Sequence, residues 1–208
     1  MKILLGIPTT GQFSTEFAQR LVQITSKKHS IYHMYIVKSI IHIARENMCD
    51  EAIRQGYDAV CFLDDDMIIE PDFIDKLARH NAPIVSAMCF KRTPPYSPCV
   101  YNDLQPNGLK LTMRPLEFDE VPTKPFYVDA AGSACMLIKT SLLKQMKKPW
   151  FLPLPYAGED LSFCYRLSVM GQKILVDPTI KVGHLEQRAI YAEHYLDWKT
   201  NHGNNTNA

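Results

Sequence analysis

The sequence is short of several things, and each shortage removes a class of function. Among its 208 residues, 23 Lys and Arg stand against 22 Asp and Glu, a formal net charge of +1. No global basic excess draws the chain to nucleic acid or to an anionic membrane surface. The six cysteines (Cys49, Cys61, Cys89, Cys99, Cys135, Cys164) are widely spread and include no CxxC pair. Several lie in apolar runs, where a free thiol behaves as a small hydrophobe, so they read as reduced. Long apolar runs are missing too. MKILLGIP offers one basic residue and a few apolar positions before Gly6 and Pro8, too little for a signal peptide or a membrane span. A cytoplasmic protein without a transmembrane segment is expected. After the first apolar run, PTTGQFS holds one glycine and no Lys or Arg, so the Gly-rich basic loop that cradles phosphates is absent. Neither an internal repeat nor a linker divides the chain.

What is present is ordinary globular material, 46% hydrophobic and 22% charged, enough for one sizeable core. The expectation is a single domain over residues 1–200 and a frayed polar tail, NHGNNTNA, over 201–208. Lys2 to Ile7 reads as a buried strand stopped by Pro8, followed by a helical pattern at Phe17, Leu21 and Ile24. Apolar positions at helical spacing predict a long helix from Ile36 to Gln55, with Gly56 at its C-cap. Ala59 to Leu63 is a continuous apolar run, as a central strand covered on both faces requires. A helix over Asp72 to His80 and a buried strand over Pro83 to Cys89 continue the alternation. Residues 91–124 lose helical periodicity and read as a hairpin excursion or a lid. Further strands are expected within Tyr127 to Ile138, at Ile174 to Val176 and at Ile180 to Val182. Helices are expected over Thr140 to Lys147, Glu159 to Met170 and Arg188 to Lys199. Strands alternating with helices give an α/β sheet.

Two constellations stand out. In AVCFLDDDMIIEPDF, three adjacent carboxylates, Asp64, Asp65 and Asp66, follow the central strand. They repel one another unless solvent or a cation neutralises them. Ligands of open α/β sheets bind beyond the carboxyl ends of the strands, and Mg²⁺ or Mn²⁺ held by one or two carboxylates plus substrate phosphates suits that place. The plain alternative is a solvated acidic cap. In YAGEDLSFCYRLSVMGQKILVDPTIKVGHL, Glu159 and Asp160 open a helix, where the macrodipole favours acids, and His184 follows a later strand. That imidazole could join a metal already held by Asp66.

Together FLDDDMIIEPDF, VDAAGSACMLIKTSLL and PWFLPLPYAGEDLSFCYRLSVMGQKILVDPTIKVGHL, in this order, resemble glycosyltransferase family 2 on the GT-A fold, over roughly residues 1–190. The resemblance implies a Rossmann-like, mixed but mainly parallel sheet flanked by helices. It makes the acid triplet a DXD motif. Asp64 would face the ribose or base of a nucleotide sugar, with Asp65 at the variable position. Asp66 would bind Mn²⁺ or Mg²⁺ at the diphosphate, His184 would complete the metal site, and Asp64 counts among the candidate ligands. Pro8, Thr9 and Thr10 would meet the base, and Arg45 a base or phosphate, although Glu46 separates it from Asn47. Gly132 would let backbone approach the donor sugar. Asp160 would be the catalytic base of an inverting transfer, with Glu159 orienting the acceptor or the loop.

The implied reaction moves a sugar from a UDP-sugar to an acceptor hydroxyl. A related nucleotidyltransferase and a non-catalytic nucleotide-sugar-binding module are the alternatives. Lys91 and Arg92 are candidates for the diphosphate or a solvated pair, and Trp150, Phe151 and Tyr156 for sugar stacking or core packing. Tyr191, Tyr195 and Trp198 are candidates for a partner surface or the core. The acceptor, whether glycan, lipid-linked precursor, protein or modified nucleic acid, and a homo-oligomeric state are left open.

Overall fold

A computed structural model describes residues 1–185 and 189–202. In chain order its elements are β1 (Lys2–Thr9), α1 (Thr15–Val22), β2 (Ser30–Val37), α2 (Ile41–Arg54), β3 (Ala59–Leu63), β4 (Met67–Ile69), α3 (Phe73–Ala78) and β5 (Ile84–Ala87). The middle of the chain forms β6 (Val100–Asn107), β7 (Lys110–Pro115), β8 (Phe126–Val128), β9 (Ala130–Ala131), β10 (Cys135–Lys139) and α4 (Thr140–Leu143). Then come α5 (Glu159–Val169), β11 (Ile174–Asp177), β12 (Val182–Leu185), β13 (Ala189–Ile190) and α6 (Ala192–His202).

The main sheet has seven strands in the order β2-β1-β3-β10-β5-β11-β8. β2, β1, β3, β5 and β11 run one way, and β10 and β8 oppose them. The apolar runs read from sequence are central strands because both of their faces are covered. On one face Leu4, Val60, Phe62, Met136 and Ile138 pack with Met48 and Ala52 of α2, Leu143 of α4, and Phe163 and Leu167 of α5. On the other, Ile3, Leu5, Ile7, Cys61, Leu63 and Leu137 pack with Phe17 of α1 and Phe73, Ile74 and Leu77 of α3. Strand residues thus alternate between two cores, as the period of two demands.

Two small sheets flank the large one, β13-β12-β4 and β7-β6-β9. The excursion at 91–124 contains the hairpin of β6 and β7, whose turn uses Gly108 at φ 60°. Gly56 and Gly171, both at φ 70°, follow α2 and α5 as left-handed caps.

Three element boundaries need correction. The helix expected from Ile36 begins only at Ile41, because Ser30–Val37 is an edge strand paired with β1 from Lys2↔Ser30 to Thr9↔Val37. Its side chains are nowhere fully buried, so SIYHMYIV carries no continuous apolar run, and Ile36 fitted the neighbouring helical pattern by coincidence of spacing. The strand expected over Ile180 to Val182 starts at Val182 and pairs with β4 instead of the main sheet. The last helix begins at Ala192 and includes Asn201 and His202, so the tail begins later than expected. Arg188, its expected start, and residues 203–208 lie outside the described residues. Among the described residues no helix is long and apolar enough to cross a membrane.

Candidate functional site

The acids sit at the carboxyl edge of the sheet. Because β1 and β3 are parallel neighbours, Thr9 and Thr10 end beside Asp64, Asp65 and Asp66. With Pro8, Lys38, Ser39 and Ile41 these residues line a cleft of about 230 Å³. Sequence reasoning missed Lys38, Ser39 and Ile41 as cleft residues. The available signal was the alternation in SIYHMYIV, which is followed by a basic residue, Lys38, held at φ 54°. The turn after β3 is tied by the Asp64 N–H, which donates to the Ala134 carbonyl at 2.9 Å. The middle acid has a local task, since Asp65 Oδ2 accepts the Thr10 backbone N–H at 3.3 Å and links the two strand ends.

Asp66 meets His184 through strand register. β12 pairs with β4 so that His184 lies opposite Met67, and the Leu185 N–H donates to the Asp66 carbonyl at 2.7 Å. His184 Nε2 then stands 3.3 Å from Asp66 Oδ2, while Nδ1 stands 2.8 Å from the Phe90 carbonyl oxygen. A carbonyl oxygen can only accept, so Nδ1 carries the proton of that hydrogen bond. In a neutral ring Nε2 would turn a lone pair on the carboxylate, so the pair calls for a proton or a cation between them. Burial works to lower the His184 pKa, but the hydrogen bond and charge of Asp66 outweigh it and hold the imidazole above its ordinary value. Burial likewise opposes ionisation of Asp66, and His184 with Arg92 outweighs it, keeping that carboxyl low. Arg92 Nη1 lies 3.1 Å from the same Oδ2.

This donor set fits a hard divalent cation, with a carboxylate oxygen and an imidazole nitrogen whose other nitrogen is fixed by a backbone carbonyl. Among the described residues no group of three His, Cys, Asp or Glu is arranged to hold a metal, so most ligands of such a cation would be substrate oxygens and water.

Asp64 stands otherwise than expected. Its two oxygens accept from Arg45 Nη2 at 2.8 and 3.0 Å, so it does not converge with Asp66 and His184 on a common metal position. Arg45 is 2% exposed, and its Nη1 donates to Glu159 Oε1. The guanidinium is therefore an internal clamp between two acids and not an open base or phosphate contact. Glu159, expected to orient an acceptor or loop, is held by that clamp. Asp160 follows it at the start of α5, with Oδ1 accepting the Leu161 N–H at 2.7 Å. Burial, and then the neighbouring Glu159 charge, raise the Asp160 pKa, with Arg45 pulling the other way.

Three further expectations are resolved by packing. Gly132 is not among the cleft residues. Its N–H donates to the Cys99 carbonyl at 2.9 Å, and a Cβ there would lie 3.3 Å from Cys99 Cβ, so the glycine serves close packing of backbone segments. Trp150 and Phe151 are core residues, Phe151 stacking on Phe163 at 4.4 Å between centroids, whereas Tyr156 is 78% exposed. Tyr195 is buried and its hydroxyl donates to Glu117 at 2.9 Å, tying α6 to the 3₁₀ turn at Phe118–Glu120. Beside that tie, Met88, Phe90, Phe118, Val121, Ile180 and Tyr191 border an apolar cavity of about 350 Å³, which shares Phe90 with the His184 contact.

No family model and no curated protein matches the sequence. Solved structures do. The crystal structure of A197 from STIV superposes with a TM-score of 0.68 at 22% identity, covering 93% of this chain and 92% of that one. GalNAc-T7, crystallised with UDP, GalNAc and Mn²⁺, superposes with a TM-score of 0.60 at 10% identity, over 96% of this chain. The fold is GT-A. This chain spans 47% of the GalNAc-T7 chain, so the likeness concerns the shared sheet and its helices and leaves that protein's other half without a counterpart here.

Proposed function

We propose that the chain is a metal-dependent glycosyltransferase that moves a sugar from a UDP-sugar to an acceptor hydroxyl with inversion. One observation carries the reading: the cleft beyond β1 and β3 gathers Pro8, Thr9, Thr10 and the three aspartates, with Asp66 facing His184 at its edge. The GT-A fold supports it, as does a neighbour of that fold crystallised with UDP and Mn²⁺.

In this reading the end of β1 receives the nucleotide, and Asp66 with His184 would hold Mn²⁺ or Mg²⁺. When bound, that cation supplies Lewis-acid neutralisation of charge on the departing nucleoside diphosphate. Arg92 and Lys38 add positive charge at the same edge. Asp64 can still accept a ribose hydroxyl while paired with Arg45, because each carboxylate oxygen offers a second lone pair and the side chain is 26% exposed. Asp160 takes the proton of the acceptor hydroxyl as that oxygen bonds to the anomeric carbon and the bond to the diphosphate oxygen breaks. Its burial and raised pKa suit a base that must be poised closer to neutrality than a solvated aspartate.

The test is binding and turnover of a panel of UDP-, GDP-, dTDP- and CMP-sugars with Mn²⁺, Mg²⁺ or EDTA. A UDP-sugar is expected to bind only with metal, Asp66→Ala to abolish that binding, and Asp160→Asn to bind but not turn over. If no nucleotide sugar binds in the presence of metal, the reading is wrong. If one binds and is neither hydrolysed nor transferred by the native protein, the chain is a binding module.

A further inference from the structure

The geometry points to Arg45 as a positioning latch that couples the nucleotide cleft to the start of α5, so that occupation of the cleft is felt at Asp160. The inference rests on the function proposed above for what the two ends do, but the latch itself is a feature of the fold. One guanidinium holds both ends, Nη2 binding Asp64 at the close of β3 and Nη1 binding Glu159 at the first position of α5. These acids lie 19 and 114 residues from Arg45 in the chain. The fork is planar and rigid, so a shift of one carboxylate tilts the donor offered to the other.

Three observations make Arg45 a fulcrum instead of a passive ion pair. It is fixed from behind, since Ala44, Met48, Cys49 and Ala52 of α2 are in the core and the guanidinium lies 5.7 Å from the Phe62 ring centroid. The charges are unequal: the one cation faces Asp64, Glu159 and Asp160, so the acids compete for it. Finally, Arg45 Nε is buried with no hydrogen-bond partner. Buried donors are nearly always satisfied, and an unused N–H on the guanidinium that pairs Asp64 and Glu159 gives the cluster a second pairing to adopt. Asp64 reaches the cleft at the other end, with a side chain 26% exposed. A ligand hydroxyl drawn to Asp64 therefore redistributes the Arg45 hydrogen bonds, and the change arrives at Glu159 and the adjacent Asp160.

Arg45→Lys tests this, because an ammonium keeps the charge but loses the planar fork that holds two separate donors in a fixed relation, so the two acids are no longer coupled through one rigid group. Amide exchange is followed by mass spectrometry with and without UDP and Mn²⁺, over residues 64–67 and 158–162. In the native protein the ligand is expected to slow both segments. In Arg45→Lys, basal exchange of both is expected to rise several-fold together and the ligand effect to stop at 64–67. With an identified donor, kcat is expected to fall about 100-fold, as a small misplacement of a base does, with the donor KM within about threefold of native. Native basal rates at either segment in Arg45→Lys, or undiminished transmission to 158–162, would overturn the latch. If Arg45→Lys does not fold, Glu159→Gln replaces it: faster basal exchange at both segments supports the latch, and at 158–162 alone refutes it. Since basal rates need no ligand, failure of UDP to bind would defeat the proposed function while the latch is still judged.

Discussion

At the scale of single residues, burial sets the chemistry of Asp160, the second residue of α5. Asp160 is pushed up by burial and by Glu159, and pulled down by the Leu161 N–H and Arg45. A base must be ionised to act, so kcat is expected to fall on the acid side with a midpoint above the ~3.9 of a free aspartate. Glu159→Gln removes a charge that raises it, and should move that midpoint to lower pH, read from a kcat profile at saturating donor. Asp177 is the opposite case. Its side chain has no exposure, and although burial works against ionisation, Thr179, His80 and Arg79 outweigh it and lower its pKa to about 2. A depressed carboxyl contributes stability that is complete above its unfolded value, about 4, and is lost as pH falls through about 2. Asp177→Asn should therefore flatten the acid limb of a stability-against-pH curve and cost about 1–3 kcal/mol near neutrality, measured by urea unfolding. An unchanged acid limb would show that Asp177 does not carry it.

At the scale of elements, α2 and β12 carry the supports that hold the site. Glu46, which interrupts the expected Arg-Asn pair, accepts the backbone N–H groups of Trp150 and Phe151 at 2.9 to 3.0 Å. It anchors the loop leading to Glu159, so α2 fixes that region through both Arg45 and Glu46. Glu46→Ala leaves two part-buried amides unpaired and is expected to cost about 1–3 kcal/mol, with faster amide exchange confined to residues 150–158.

β12 owes its place to Gly183. A Cβ there would lie 2.7 to 2.8 Å from the Tyr191 ring, which packs directly over the strand beside His184. Gly183→Ala is expected to displace Tyr191 and the start of α6 and to cost about 1–3 kcal/mol, seen as a lower Tm. Of the GHL motif the histidine was singled out from the sequence, whereas the close approach that Gly183 permits was not.

Legibility followed the range of the interactions. DDD after β3 and GED at the start of α5 were readable because each adjoins an element whose periodicity is local, whereas GHL was expected after a strand and lies within β12. The pairing of Arg45 with Asp64 and Glu159 was not readable, since nothing in a one-dimensional pattern tells an arginine which acids will share its burial. β2 escaped for a different reason: an edge strand with one face half-exposed leaves a weak alternation, and with it Lys38 went unnoticed as a wall of the cleft.

For the whole molecule, the cleft joins segments that are separate in the unfolded chain, so a ligand that needs all of them binds only the folded state. Pro8 to Thr10, Lys38 with Ser39 and Ile41, and Asp64 to Asp66 come from the end of β1, the β2–α2 connection and the end of β3, and His184 faces Asp66 at the edge from β12. Binding of UDP with Mn²⁺ must then raise the stability of the entire fold by mass action, by about 2.7 kcal/mol at one hundred times Kd. For a domain of this size each kcal/mol is worth about 2–4 °C, so Tm should rise by about 5–10 °C. EDTA should remove the gain, and so should Asp66→Ala, without lowering the Tm of the ligand-free protein by a comparable amount. The last condition matters because Asp66 is partly exposed and is held by His184 and Arg92, which its loss leaves without that carboxylate. A rise that survives EDTA and Asp66→Ala would mean that nucleotide alone binds elsewhere, and the acid triplet would lose its assignment.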